Sequence, residues 1–171
     1  MSMDWQTEPL TDTFGVEVAG VDLNAVATGV GFDTLRGLFE EHSALLFRGQ
    51  DVSDDTHMAL AKQFGEIEDR LADERKPGEA YEVPRVSNVR ADGAVSEEMD
   101  LHTLILKANM LWHADSTFLP RPALTNILIG RVVTTEGGAT QLASTRAGWA
   151  AMPEALKDRI RGRGVWHRYS H

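Results

Sequence analysis

The chain contains no cysteine among its 171 residues. Disulfide bonds, zinc sites built on thiolates and cysteine nucleophiles are therefore excluded. It also lacks an apolar run of membrane-spanning length, and residues 1–9 have neither the basic start nor the apolar stretch of a signal peptide. We therefore expect neither secretion nor membrane insertion, and we predict a cytoplasmic location.

Positive charge is scarce as well. The 17 lysines and arginines are outnumbered by 26 aspartates and glutamates, which gives a formal net charge of −9. Such a surface repels phosphate backbones and anionic lipids, so we expect no nucleic acid and no membrane as partners. A small anionic substrate is still compatible with this charge, because a pocket on an acidic protein can be locally basic.

The apolar pattern predicts more strands than helices. Strands are expected at residues 15–23, 44–47, 85–89, 108–113, 124–133, 139–143 and 164–169. Helices are expected from Asp33, from Ser53 to Gly65 and from Pro153 to Gly162, and Asp92-Gly93 indicates a hairpin turn. Residues 1–171 are therefore predicted to form a single α+β domain, mainly β, as a sandwich or distorted barrel covered by helices.

The candidate metal ligands lie in residues 111–118, Leu-Trp-His-Ala-Asp-Ser-Thr-Phe. Side chains two positions apart on a strand face the same way, so His113 and Asp115 would project together. One imidazole and one carboxylate are two members of the two-histidine, one-carboxylate set that holds non-haem iron(II) with positions open for substrate and dioxygen. So short a motif also arises by chance, and the pair would then be a surface histidine beside a capping aspartate.

Neighbouring residues add to this candidate site. Asn109 has the same strand parity as the pair, so its amide is placed to donate a hydrogen bond into the same pocket. Gly137-Gly138 permits a tight turn before Thr140, whose hydroxyl can bind a carboxylate. Lys107 shares that parity and can pair with an anionic substrate, the alternative being a solvated lysine. Parity directs Trp112 the other way, towards the core.

Five segments resemble the taurine/2,4-dichlorophenoxyacetate dioxygenase family of iron(II)- and 2-oxoglutarate-dependent oxygenases. They are residues 45–50 (LLFRGQ), 64–65 (FG), 86–89 with 92–93 (VSNV and DG), 112–118 (WHADSTF) and 137–140 (GGAT). They come in the family's order and the resemblance covers nearly the whole chain. Thr140 also follows Asp115 at the interval that the family keeps between these two residues.

The resemblance implies a double-stranded β-helix, the jelly roll of clavaminate synthase-like enzymes. It implies iron(II) held by His113, Asp115 and a distal histidine, with Thr140 and Asn109 near 2-oxoglutarate and with dioxygen as the second co-substrate. The implied reaction hydroxylates a small organic acid, aryloxyalkanoate-like or sulfonate-like, and releases succinate and CO2. His102 lies where family members shape the substrate pocket, so it is a candidate substrate contact.

The family's distal iron histidine and 2-oxoglutarate-binding arginine come far beyond the threonine. His167 and His171 are the histidines after Thr140, both much too early, and Arg168 does not match the family arginine. We therefore expect a C-terminally incomplete catalytic domain, truncated before those two residues.

Three origins for such a chain stay open: part of a full enzyme, a split subunit with a complementing C-terminal half, or a degraded remnant. A homo-oligomer is compatible with each of them. The rival functions are a catalytically inactive fragment that acts by binding a partner and a cupin-like module that binds a different metal.

Overall fold

The computed structural model describes residues 3–69, 75–76, 78–79, 81–90 and 92–167. It comprises two compact units. The first is Met1–Ile67 with Leu124–Trp166, and the second is Glu68–Ala123 with His167–His171. The first unit holds the sheet and the core, and the second holds the candidate metal ligands. The expected single domain over residues 1–171 stays a prediction.

A three-stranded sheet begins the first unit. Its order is β1 (Gln6–Pro9), β2 (Val16–Ala19) and β3 (Leu45–Leu46). β1 pairs antiparallel with β2, and β3 pairs parallel with it. A parallel neighbour requires a crossover, which helices α1 (Leu23–Ala27) and α2 (Phe32–His42) supply. The strands predicted around residues 15–23 and 44–47 are thus confirmed, each shorter than its apolar run.

Local capping signals explain the helices of this unit. Helix α3 (Asp54–Phe64) begins at Ser53, whose Oγ accepts a hydrogen bond from the Thr56 N–H at 3.1 Å, and it ends at Gly65, as predicted. Helix α2 has Gly31 at its N-cap, whereas Asp33 had been expected to begin the helix. Asp33 lies in the first turn, where its negative charge interacts favourably with the helix dipole. Two short helices follow later in the unit, α5 (Thr145–Ala151) and α6 (Glu154–Ile160).

The core of the first unit is built almost entirely by residues that precede Gly65. Its buried apolar side chains are Val16, Val18, Val21, Leu23, Val26, Leu35, Val52 and Leu60. The Phe64 ring extends it with edge-on contacts to Phe32 and Phe39, at 5.0 and 5.7 Å between ring centroids. This core therefore stabilises the sheet and helices α1 to α3.

In the segment 124–133, residues 125–129 alternate between half-buried and exposed as in a strand, but the segment has no hydrogen-bond ladder. Ile127 and Ile129 are half-buried against the core, whereas Leu128 between them is 72% exposed. A ladder needs a neighbouring strand, and among the described residues this segment is assigned to no sheet. The strand predicted at 124–133 is therefore wrong as secondary structure.

Side chains of α3 and its preceding turn hold this segment in place. The His57 imidazole donates from Nε2 to the Ile127 carbonyl at 2.9 Å. Arg131 donates to the Val52 carbonyl and, at 2.6 Å, to Asp54 Oδ1. The segment is thus fixed near both of its ends by contacts that are remote in sequence.

We expect His57→Ala to lower the free energy of unfolding by about 1–2 kcal/mol, because it removes the donor to a part-buried carbonyl. The change is read from urea denaturation followed by circular dichroism. Lys62→Ala, an exposed position on the same helix, is the matched control and should stay within about 0.5 kcal/mol. Equal losses in the two variants would show that the His57 contact is not stabilising.

Helix α4 (Leu101–Ala108) of the second unit was not predicted; it ends at the first residue of the strand expected at 108–113, and residues 109–110 form a turn. The prediction of a strand at 108–113 is therefore wrong. Leu101, Leu104 and Ile105 have the three- and four-residue spacing of a helix face, which explains helix α4. None of the helices in the described ranges is both long enough and apolar enough to cross a bilayer.

The strands predicted at 85–89 and 139–143 are also wrong, and the described part of 164–169 forms no strand. The Asp92-Gly93 turn is present: Asp92 Oδ1 accepts from the Ala94 N–H at 3.0 Å, and Val89 and Val95 form an isolated antiparallel bridge. The described residues thus hold six helices and three short strands. They do not show the mainly β chain that was expected, and the double-stranded β-helix stays a prediction.

Candidate metal centre

The candidate ligands lie between two turns that follow α4. Asn109 is the C-cap of α4, and the Met110 N–H donates to the Lys107 carbonyl at 3.1 Å, which closes the first turn. Residues 112–114 have no regular structure, and a second turn covers 115–118, where the Leu119 N–H donates to the Ser116 carbonyl at 2.9 Å. The pair is therefore positioned by turns and not by a strand.

His113 and Asp115 nevertheless come together. His113 Nε2 lies 3.2 Å from Asp115 Oδ1, and the two side chains are 47% and 52% exposed. The other imidazole nitrogen, Nδ1, lies 2.6 Å from the Leu111 carbonyl. Because a carbonyl oxygen only accepts, Nδ1 carries a hydrogen and donates it. In the neutral ring this leaves the lone pair on Nε2, the atom that faces the carboxylate.

This geometry fits a divalent metal. Nitrogen and carboxylate ligands lie about 2.0–2.2 Å from such an ion, so two ligands about a right angle apart are separated by about 3 Å. The 3.2 Å separation of Nε2 and Oδ1 agrees with that value. A histidine ligand also commonly donates its other N–H to a backbone carbonyl, as His113 does. An imidazolium–carboxylate ion pair would have the same separation. A measurement of metal affinity therefore has to distinguish a metal site from an ion pair.

Among the described residues, the candidate metal ligands that come together are His113 and Asp115. No group of three histidine, aspartate or glutamate side chains that could hold a metal is found in the described part of the chain. His167, judged too early for the distal ligand, is exposed and has its Nδ1 3.0 Å from Thr117 Oγ1. His171 and Arg168 lie outside the described residues.

Thr140 belongs to the first unit, whereas the pair belongs to the second. Thr140 is exposed and follows the predicted glycine turn, in which Gly137 and Gly138 have φ angles of +69° and +67°. Thr134 Oγ1 donates to the Gly137 carbonyl at 3.0 Å and closes that turn. The turn is thus confirmed, and the proximity of Thr140 to the metal pair stays a prediction.

The other predicted site residues lie in or next to α4. Asn109 is exposed at the helix end. Lys107 donates from Nζ to Glu98 Oε1 at 2.8 Å, and this hydrogen bond together with the lysine charge lowers the pKa of the exposed Glu98 carboxyl. His102 is a residue of α4, and the substrate contact predicted for its side chain lies outside what the structure describes. Trp112, expected in the core, is 69% exposed, so that prediction is wrong.

Sequence analysis missed the contacts of Ser116. Its side chain is buried, at 5% exposure, and its Oγ donates to Glu68 Oε1 at 2.8 Å. Its φ angle of +59° is left-handed, which is uncommon for a residue other than glycine. No sequence pattern near Ser116 predicts this hydrogen bond, because Ser116 and Glu68 are 48 positions apart.

A half-buried cluster lies next to Glu68 in the sequence. Arg75 forms an ion pair with Asp69, and its guanidinium carbon lies 5.2 Å from the centre of the Tyr81 ring. Burial and then the charge of Asp69 raise the pKa of the Tyr81 hydroxyl, while Arg75 opposes that rise. The segment that carries Glu68 and Asp69 is therefore held by contacts of Asp69 with Arg75 and of Arg75 with Tyr81.

Known proteins resemble this chain along almost its whole length. It is 35% identical over 171 residues to the (S)-phenoxypropionate/alpha-ketoglutarate-dioxygenase of Delftia acidovorans, covering 98% of this chain and 56% of that protein. It is 32% identical over 162 residues to the alpha-ketoglutarate-dependent 2,4-dichlorophenoxyacetate dioxygenase of Cupriavidus pinatubonensis, covering 93% of this chain and 56% of that one. The chain thus spans about half the length of these relatives.

A solved structure agrees with these relatives. The crystal structure of AAD-2 in complex with Mn(II) and N-oxalylglycine matches with a TM-score of 0.69 at 29% identity, covering 92% of this chain and 53% of that one. The chain therefore has the fold of the corresponding part of that protein. The family model described as taurine catabolism dioxygenase TauD, TfdA family matches residues 6–171. With a match over that range, the chain belongs to the TauD/TfdA dioxygenase family.

Proposed function

We propose that this chain provides the metal-binding part of an iron(II)- and 2-oxoglutarate-dependent dioxygenase that hydroxylates a small organic acid and releases succinate and CO2. The observation that carries the proposal is the 3.2 Å approach of His113 Nε2 to Asp115 Oδ1, with Nδ1 engaged by the Leu111 carbonyl. The family of the chain adds the reaction class, since its relatives are alpha-ketoglutarate-dependent dioxygenases by name.

The residues of the chain have distinct tasks in this proposal. His113 and Asp115 hold iron(II), and Thr140 and Asn109 hold 2-oxoglutarate by hydrogen bonds to its oxygens. When bound, iron(II) supplies the activation of dioxygen that is coupled to decarboxylation of 2-oxoglutarate. The Leu111 carbonyl keeps the imidazole in the tautomer whose Nε2 can bind the metal.

The proposed substrate is an organic anion of the aryloxyalkanoate or sulfonate type, with His102 and Lys107 as its contacts. Two relatives are named for the aryloxy acids phenoxypropionate and 2,4-dichlorophenoxyacetate. Lys107 offers a cationic nitrogen whose present partner, Glu98, is 82% exposed. Exposed ion pairs contribute little free energy, so a substrate carboxylate can replace that partner.

The proposed fold of the complete site is the double-stranded β-helix. Residues 125–129 support it, since they have the alternating burial of a strand and lack a paired neighbour among the described residues. The partner strands and the third ligand, which the described residues do not provide, would come from other residues of the protein, from a complementing C-terminal half or from a second copy in a homo-oligomer. We place the protein in the cytoplasm, with which the lack of cysteine is compatible.

The alternative proposal is a catalytically inactive fragment or split subunit that acts by binding a partner. It is favoured by one observation: Val132, Val133 and Trp166 are 92%, 80% and 98% exposed. Apolar side chains left this open are typical of surfaces that another polypeptide covers.

Succinate formation separates the two proposals. The purified protein, including the residues that supply the third iron ligand, is incubated with iron(II), 2-oxoglutarate and ascorbate, with (S)-phenoxypropionate or 2,4-dichlorophenoxyacetate as substrate. The dioxygenase proposal expects succinate above the background of His113→Ala. A folded chain that binds the metal and still forms no succinate supports the alternative.

A further inference from the structure

We propose that Ser116 and Glu68 are positioning residues that set the orientation of the metal-binding pair. The proposal rests on the proposed function of His113 and Asp115 and adds two residues that touch neither metal nor substrate. Their contact, Ser116 Oγ to Glu68 Oε1 at 2.8 Å, lies directly after the second ligand in the chain.

The backbone at Ser116 explains why such a contact is needed. Its φ angle of +59° is left-handed, a conformation that is unfavourable for a residue with a Cβ because the Cβ comes too close to the following carbonyl oxygen. That cost has to be offset by local contacts, and the buried hydroxyl of Ser116 makes one. Strained backbone of this kind concentrates at functional sites, where the surrounding structure enforces it.

The position of the strain links it to the ligands. Asp115 opens the turn at 115–118, and Ser116 reverses the chain direction immediately after it. The Ser116 side chain is buried while those of His113 and Asp115 stay about half exposed. Because the Ser116 side chain is held in the interior, the backbone orientation at Asp115 is restricted. This restricts the direction of the Asp115 carboxylate and so maintains the 3.2 Å distance between His113 Nε2 and Asp115 Oδ1.

Glu68 is a suitable anchor for this purpose. Its neighbour Asp69 is paired with Arg75, and both of those side chains are about one-fifth exposed. Arg75 in turn packs on the Tyr81 ring. Because the segment that carries Glu68 is held by these contacts, its carboxylate provides a fixed acceptor rather than a mobile one.

The test measures metal affinity without any requirement for catalysis. Mn(II) binding to the full chain is followed by the loss of the free-ion signal in electron paramagnetic resonance. Ser116→Ala and Glu68→Ala should each weaken Mn(II) binding by about 10-fold or more, the size of effect that contacts supporting metal ligands have. Glu68→Gln keeps an acceptor oxygen at the same reach and should restore affinity close to that of the parent chain.

Two comparisons separate positioning from general destabilisation. Ser96→Ala is the matched control, since Ser96 Oγ is buried in the same unit without a hydrogen-bond partner among the described atoms, and it should leave affinity unchanged. The double variant Ser116→Ala/Glu68→Ala should lose no more affinity than either single variant, because both remove the same hydrogen bond.

The outcomes are distinct. Parent-like affinity in Ser116→Ala and Glu68→Ala, or additive losses in the double variant, would overturn the positioning role while leaving the metal pair intact. If Ser116→Ala does not fold, the contrast between Glu68→Ala and Glu68→Gln decides, and equal affinity in those two counts against the proposal. A parent chain that binds no Mn(II) would instead refute the proposed function itself.

Discussion

Replacing His113 with alanine is expected to weaken divalent-metal binding by more than about 100-fold, because loss of a supporting contact alone changes metal affinity by about 10–100-fold and a ligand matters more. The same loss is expected for Asp115→Ala. Each substitution leaves one ligand atom of the pair that now lies 3.2 Å apart. A single remaining ligand cannot bind in the two adjacent positions that give the chelate its affinity.

The affinities are measured by titration with Mn(II), with folding checked by circular dichroism. Both side chains are about half exposed, so neither substitution should disturb the core. His42→Ala is the matched control, since it removes a histidine from helix α2 of the first unit and should leave metal affinity unchanged. If Asp115→Ala binds the metal as tightly as the parent, the 3.2 Å contact is only an ion pair.

Leu60→Ala is expected to have the largest effect on stability, a loss of about 2–5 kcal/mol in the free energy of unfolding. Leu60 is 4% exposed on α3 and belongs to the core cluster of the first unit. Replacing its isobutyl group by a methyl group leaves a cavity in that cluster, on the helix that packs against α1. Because whole domains are stable by only about 5–15 kcal/mol, this substitution should remove a large fraction of the total.

The measurement is guanidinium or urea denaturation followed by circular dichroism. Leu128→Ala is the matched control with the same chemistry in the same unit, and at 72% exposure it should cost less than about 0.5 kcal/mol. Similar losses for the two leucines would mean that the core does not lie between β2 and helices α1 to α3.

Sequence reasoning succeeded where the signal is local. Ser53 and Gly65 delimit α3 because a hydroxyl cap and a terminal glycine act within one helical turn. The Asp92-Gly93 and Gly137-Gly138 turns follow from the same kind of short-range chemistry. The two-residue spacing of His113 and Asp115 was sufficient to bring them together, although the strand that had been invoked for it is absent.

It failed where structure depends on distant partners. Residues 124–133 have the composition of a strand, but a strand also needs a neighbour, which the sequence of the segment does not specify. The Ser116–Glu68 hydrogen bond joins residues 48 positions apart and leaves no local trace. Helix α4 was missed for another reason: Leu101, Leu104 and Ile105 have a helical spacing, and no prediction was made from it.

The central claim is that His113 and Asp115 hold one divalent metal jointly. Its most direct test is nuclear magnetic resonance of the labelled chain with substoichiometric Mn(II), whose unpaired electrons broaden the signals of the groups that bind it. The claim predicts that the His113 imidazole and the Asp115 carboxyl signals broaden first and together, ahead of every other histidine and aspartate. Broadening that centres on other residues, or spreads evenly over the acidic surface, would contradict it.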